Sequence, residues 1–209
     1  LQALTSAQIS ALTPAQIAGL GNDDIIAFTP DQMKAMGTAQ IGALTKSQMT
    51  VLSGEQLAAI ETRDFVTLNA TQMMSLGTDL VVALTTQQIA NLTTAQIESM
   101  TSTQYAVMQT QGVAALTTAQ TAVLKTDQIA AFDTSQLGAL NPNSLKALTP
   151  NQFGALNSAY VLAMTTEQVA SLTTAQIRAL STSQVSALST ANIQALTTLQ
   201  VRSEERRVG

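Results

Sequence analysis

Large apolar side chains come in pairs along this chain, three residues apart: Ile9 and Leu12, Ile17 and Leu20, Ile25 and Phe28, Met33 and Met36. The pair recurs every eight residues. Cut from Thr5, the chain reads TSAQISAL, TPAQIAGL, GNDDIIAF, TPDQMKAM and onward to STANIQAL, which ends at Leu196. That makes 24 octads without insertion or deletion, followed by a partial copy, TTLQV, so octad n starts at residue 8n − 3. Position 8 is large and apolar in every full octad. Position 5 is apolar in all but one, where Thr121 stands, and position 7 is small, usually Ala. Octads such as ETRDFVTL (61–68) and QTQGVAAL (109–116) have lost most of the common wording but none of the length. The side chains vary there while the spacing holds, so the geometry depends on eight residues per unit.

The polar positions say what local structure an octad encodes. Position 1 is Thr, Ser, Asn, Asp or Gly in 22 of 25 copies, with Glu61, Gln109 and Lys125 the exceptions. These residues satisfy or tolerate the free amides of a helix start. Position 2 is then the first helical residue, where proline is welcome because no amide is missed. All four prolines, Pro14, Pro30, Pro142 and Pro150, stand there. Position 4 is Gln in 18 of 25 copies, and Thr-x-x-Gln is a capping box. The preceding position 8 and position 5 are the two halves of a hydrophobic staple. Four helix-start signals in one register predict a short helix over positions 2 to 7 of every octad.

One continuous helix is excluded. At about 100° per residue, eight residues overshoot two turns by about 80°, and no apolar stripe survives. Proline also disfavours helical geometry in the residue before it, so the chain bends at the cap. A β-solenoid with two octads per coil is the alternative, since Thr is strand-prone. The Ala-rich positions 6 and 7, the placement of proline and the lack of strict alternation favour helix. One octad buries two large side chains, worth ~3–6 kcal/mol, while ordering eight residues costs ~12 kcal/mol. Octads must therefore stack. The expectation is an all-α solenoid, a narrow superhelix of very short helices, one per repeat, with contacts mostly between near neighbours. Leu and Ile would run inside, and Thr, Gln and positions 3 and 6 would face outward or line the turns.

Composition narrows the chemistry. There is no Cys and no His, which removes disulfides, thiolate metal sites and the commonest general base and metal ligand. Charged residues are 11% and the net charge is −4, without the basic footprint of a nucleic-acid binder. The longest apolar stretches, such as residues 80–84, are far short of a membrane span. Asp23 with Asp24, and Asp127 near Asp133, resemble carboxylate pairs but have no third ligand nearby, and they read as solvated acids. The methionines and Phe65, Tyr105 and Phe153 fall almost wholly at positions 5 and 8, as core filler, with Met74 the exception. Arg178 and Lys146 stand far apart and form no patch. A Thr array could engage glycan or ice, and the glutamines could form an amide zipper; caps and capping boxes account for both. No catalytic, cofactor or metal residue is assigned, and the binding residues are left open. The partner is an unknown protein or glycan, with neither nucleic acid nor membrane insertion expected.

The phrase LTTAQIRAL (172–180) resembles the LTTAQ octapeptide arrays of very large bacterial surface or secreted proteins of haemagglutinin or adhesin type. The resemblance covers residues 1–201 and implies a secreted or cell-surface spacer or interaction segment without catalysis, a cytoplasmic place being left open. LTPAQIAGL (12–20) is also similar to the opening of the DNA-reading repeats of TAL effectors, but the period of eight and the negative charge exclude that reading. Residues 202–209 hold five charges and break the pattern. They match the read-through translation of a sequencing adapter and are set apart from the array at 1–201. A start at Leu1 rather than Met is what a fragment would show.

Overall fold

The computed structural model describes residues 3–202. All regular structure in them is helical: 24 short helices run from Ser6–Ser10 to Thr190–Ala195, residues 198–202 are helical as well, and no described residue is in a strand. The β-solenoid alternative therefore falls, and TTAQ at 173–176 is a cap and the first turn of helix Thr174–Ala179. Each helix starts at position 2 and ends between positions 5 and 7. Arg202, assigned to the tail from the sequence, continues the last helix; the rest of that tail, 203–209, lies outside the described residues.

The helix starts follow the capping chemistry. At Thr101 the backbone is extended (φ −83°, ψ 158°) and the hydroxyl accepts the Gln104 amide while the Gln104 side chain takes the Thr101 amide. The same reciprocal pair forms at Thr13, Ser53, Asn69 and Asp133. Glu61, Gln109 and Lys125, the three residues unsuited to the cap, make no side-chain cap bond. The helix ends use no left-handed residue, since no described residue has positive φ. Instead position 8 turns extended, as at Ile60 (φ −63°, ψ 125°) and Leu180 (φ −62°, ψ 133°), and the next cap stays extended. Two extended residues between helices reset the chain direction in every octad.

The contacts divide the chain into two compact units, Leu1–Met108 and Gln109–Gly209, and the cut falls between octads 13 and 14. Inside each unit a helix packs on the helix three octads along. In the first unit Ser6–Ser10 lies on Pro30–Lys34, which lies on Gly54–Ala59, which lies on Thr78–Val82. In the second, Thr118–Ala122, Pro142–Ala147, Thr166–Ser171 and Thr190–Ala195 stack in the same way. The near-neighbour contacts of the solenoid thus run between helices three octads apart. Positions 5 and 8 form the core, from Ile9 and Phe28 to Tyr105 and from Val113 to Leu180. The small position 7 allows close approach between turns: a Cβ on Gly54 would come within 2.8 Å of Ala83 Cβ.

Candidate functional site: the buried glutamine ladder

The one regular polar array in the interior is made by position 4. Gln104 shows its design. Its Oε1 accepts the Thr101 amide at 2.8 Å, and its Nε2 donates to the Met73 and Leu76 carbonyls, each at 2.8 Å. Acceptors therefore lie 31 and 28 residues earlier, at positions 5 and 8 of a previous turn. Gln40 reaches Ile9 and Leu12, Gln48 reaches Ile17 and Leu20, and Gln88 reaches Leu57 and Ile60. In the second unit Gln176 reaches Leu145 and Leu148, and Gln200 reaches Val169 and Leu172. The rungs therefore join residues three to four octads apart.

Each such glutamine is buried, between 0% and 6% exposed from Gln32 onward. The sequence reading had these residues facing outward or lining the turns and explained them by the capping box alone. The box is real, but it uses only the amide oxygen; the amide nitrogen ties one turn to the next, and that requires burial. A signal for this stood in the sequence. Glu serves a capping box as well as Gln does, yet no octad has Glu at position 4. Glu would supply the cap oxygen but set a carboxylate against two carbonyls. Gln8 and Gln16 keep the box and are exposed.

Where position 4 departs from Gln, the tie weakens or changes. Ser144 and Asn192 keep only the bond 28 residues back, to Leu116 and Met164. Asp64, 1% exposed, accepts the Thr38 hydroxyl at 2.6 Å and meets Arg63 Nε at 3.4 Å. Tyr160 is buried and its hydroxyl has no partner. Tyr105, at position 5, donates instead to the Ile97 carbonyl at 2.8 Å. Burial pushes both phenols up from their ordinary value of 10.0.

The remaining sequence candidates stay scattered. Asp24 accepts the Gly21 amide and Asp133 caps Gln136, while Asp23 and Asp127 sit in first turns, where the helix field favours an acid. No group of three metal-ligating residues occurs among the described residues. Met74 is 50% exposed while Phe65 and Phe153 are fully buried. Arg178 and Lys146 lie in last turns, favourably for a cation. Thr at position 2, as at Thr86, Thr94 and Thr174, is exposed. No helix is long and apolar enough to cross a membrane among the described residues.

The ALTTAQ repeat model matches residues 17–54, 57–94, 129–166, 141–174 and 161–198, together well over half of the chain. The chain belongs to the ALTTAQ repeat family. Four of the five ALTTAQ matches begin at position 5 of an octad, at Ile17, Leu57, Ile129 and Val161, and run 38 residues. That length holds a donor and both acceptors of one rung: the ALTTAQ match at 17–54 contains Gln48, Ile17 and Leu20. Residues 95–128 fall outside the ALTTAQ matches, yet helices Ser102–Ala106, Thr110–Ala114 and Thr118–Ala122 keep the octad period there. Comparison with curated proteins gives no match.

Proposed function

We propose that this ALTTAQ repeat region is a non-catalytic structural array, a spacer or protein-interaction scaffold in a large bacterial exoprotein, secreted or held at the cell surface. One observation carries the reading. The regular polar chemistry of the chain is spent on its own architecture: threonine hydroxyls close caps, glutamine oxygens complete them, and glutamine nitrogens join the turns. Positions 3 and 6 vary freely from octad to octad, as expected of a surface under no common chemical demand. The surface-protein context comes from the resemblance of LTTAQIRAL to arrays of that kind.

A spacer is defined by length that adds. The chain has no cysteine, so Ala18→Cys and Ala106→Cys introduce unique attachment points on exposed position 6 of octads 2 and 13. Both lie in the first unit. Duplicating residues 37–92, seven whole octads, between them should lengthen the distance between two spin labels. A second duplication should add the same step again. A distance that stays constant, or a variant that no longer shows helical circular dichroism, would remove the spacer reading.

A further inference from the structure

We infer that Met74 is a redox modification site, the one thioether that a peroxide-class oxidant reaches while the array stays folded, and that it takes up a single oxygen as methionine sulfoxide. Composition narrows the choice first. The chain has no Cys, His or Trp, so oxidation falls on its eight methionines and two tyrosines. Both tyrosines are fully buried, and seven methionines, at positions 5 and 8, are at most 4% exposed. Met74 stands at position 6 and is 50% exposed. Its exposure does not come from a loose helix. Asn69 and Gln72 close the capping box of helix Ala70–Ser75, Gln72 Nε2 donates to the Leu44 carbonyl at 2.7 Å, and the Ser75 hydroxyl donates to the Thr71 carbonyl at 2.6 Å. Met73, one residue earlier in the same helix, is 0% exposed. Two adjacent methionines thus meet opposite surroundings, by the rule that sorts every octad: position 5 goes in and position 6 stays out.

The step is a two-electron oxygen transfer. The sulfur lone pair attacks one peroxide oxygen, the S–O bond forms and the O–O bond breaks. The second oxygen leaves as water with both hydrogens, so sulfur is oxidised and the peroxide reduced. The product is polar where the thioether was apolar. At position 6 the new oxygen meets water, and no polar group is buried. At position 5 the same oxygen would enter the core without a donor, which is costly. The array therefore accepts one oxidising equivalent per copy and keeps its packing, while the core thioethers react only when a turn opens. A dithiol-dependent sulfoxide reductase reverses the change, the sulfoxide oxygen leaving as water as the dithiol closes to a disulfide. The inference needs only the burial pattern and does not rest on the spacer reading.

Hydrogen peroxide on the full chain, in buffer and in urea, tests this, followed by intact mass and by peptide fragmentation that separates Met73 from Met74. The folded chain should gain one oxygen, on Met74, at least about tenfold faster than on any other methionine, as 50% against at most 4% exposure requires. In urea Met73 and Met74 should react alike. The singly oxidised chain should keep the wild-type urea midpoint and helical circular dichroism. Met74→Leu should remove the fast uptake from the folded chain. Oxidation of Met73 or another core methionine as fast as Met74 in the folded chain overturns the inference, and so does a Met74→Leu chain that still gains oxygen at the wild-type rate. A preference for Met74 that persists in urea would place the cause in its sequence neighbours and overturn it too, as would a urea midpoint lowered by oxidation of Met74.

Discussion

A glutamine at position 4 does two jobs with one side chain, and the two can be separated by choosing where to remove it. Among the described residues Gln16 makes only the capping box, so Gln16→Ala should cost about 1 kcal/mol or less. Gln104 also bonds two carbonyls, and Gln104→Ala leaves the Leu76 carbonyl buried without its donor, for a loss of about 2–4 kcal/mol. Urea midpoints of the two variants, compared with wild type, check the difference. The tyrosines make the second residue-scale case. An unfolded phenol ionises near 10, while burial holds Tyr105 and Tyr160 neutral above that value. Their folded pKa is raised, so stability is intact below pH 10 and falls as pH climbs beyond it, by up to about 1.4 kcal/mol per pH unit and per tyrosine. These are the chain's two tyrosines. Tyr105→Phe with Tyr160→Phe should flatten that alkaline decline, read as the urea midpoint between pH 9 and 11. Tyr160→Phe alone should be neutral or stabilising at pH 7, because it removes a hydroxyl that bonds to nothing.

At the scale of the element, the helices were legible from the sequence because their signals are local. A cap residue acts on an amide three positions away, and proline acts on its own φ and its predecessor's ψ. Hence Thr101, Gln104 and Pro142 each stand where the pattern placed them, and the exceptions Glu61, Gln109 and Lys125, outside the set of good cap residues, make no side-chain cap bond. Proline at position 2 should then be transferable. Thr94 is exposed, is the first helical residue, and follows an extended Thr93 (ψ 156°). Thr94→Pro should raise stability by about 0.4–1 kcal/mol by restricting the unfolded chain, seen as a higher thermal midpoint. The same substitution at Ile97, in mid-helix and buried, should abolish local helix. What remained hidden at this scale was the direction of the glutamine amide. A capping box fixes Oε1, and only the absent Glu at position 4 hinted that Nε2 was also engaged.

At the scale of the whole molecule, stability is shared between turns rather than held in any octad. A single octad falls short of its ordering cost, and its core residue is covered only when the helix three octads on is present. Protection should therefore follow position in the array. Amides of octads 5 to 10 and 17 to 20, with turns on both sides, should exchange slowest, and those of octads 23 to 25, whose position 5 is open, should exchange fastest. Hydrogen exchange resolved by octad measures this, and uniform protection up to Val201 would contradict it. The worn octads belong in the same account. Asp64 and Tyr160 each replace a rung with something weaker, yet the helices around them stay in place, because neighbouring rungs hold the turn.

The sequence by itself determined the octad, its cap, its helix and its two core positions. Those depend on interactions within about four residues, and a pattern of that range is complete in the text of the chain. Only the tertiary structure decided the partner three octads away, the carbonyls that each glutamine reaches and the burial of glutamine. These follow from the angle accumulated over two extended links per octad, a quantity no single repeat contains. The glutamine nitrogen acquires its role only when that angle brings the carbonyls 28 and 31 residues back beneath it.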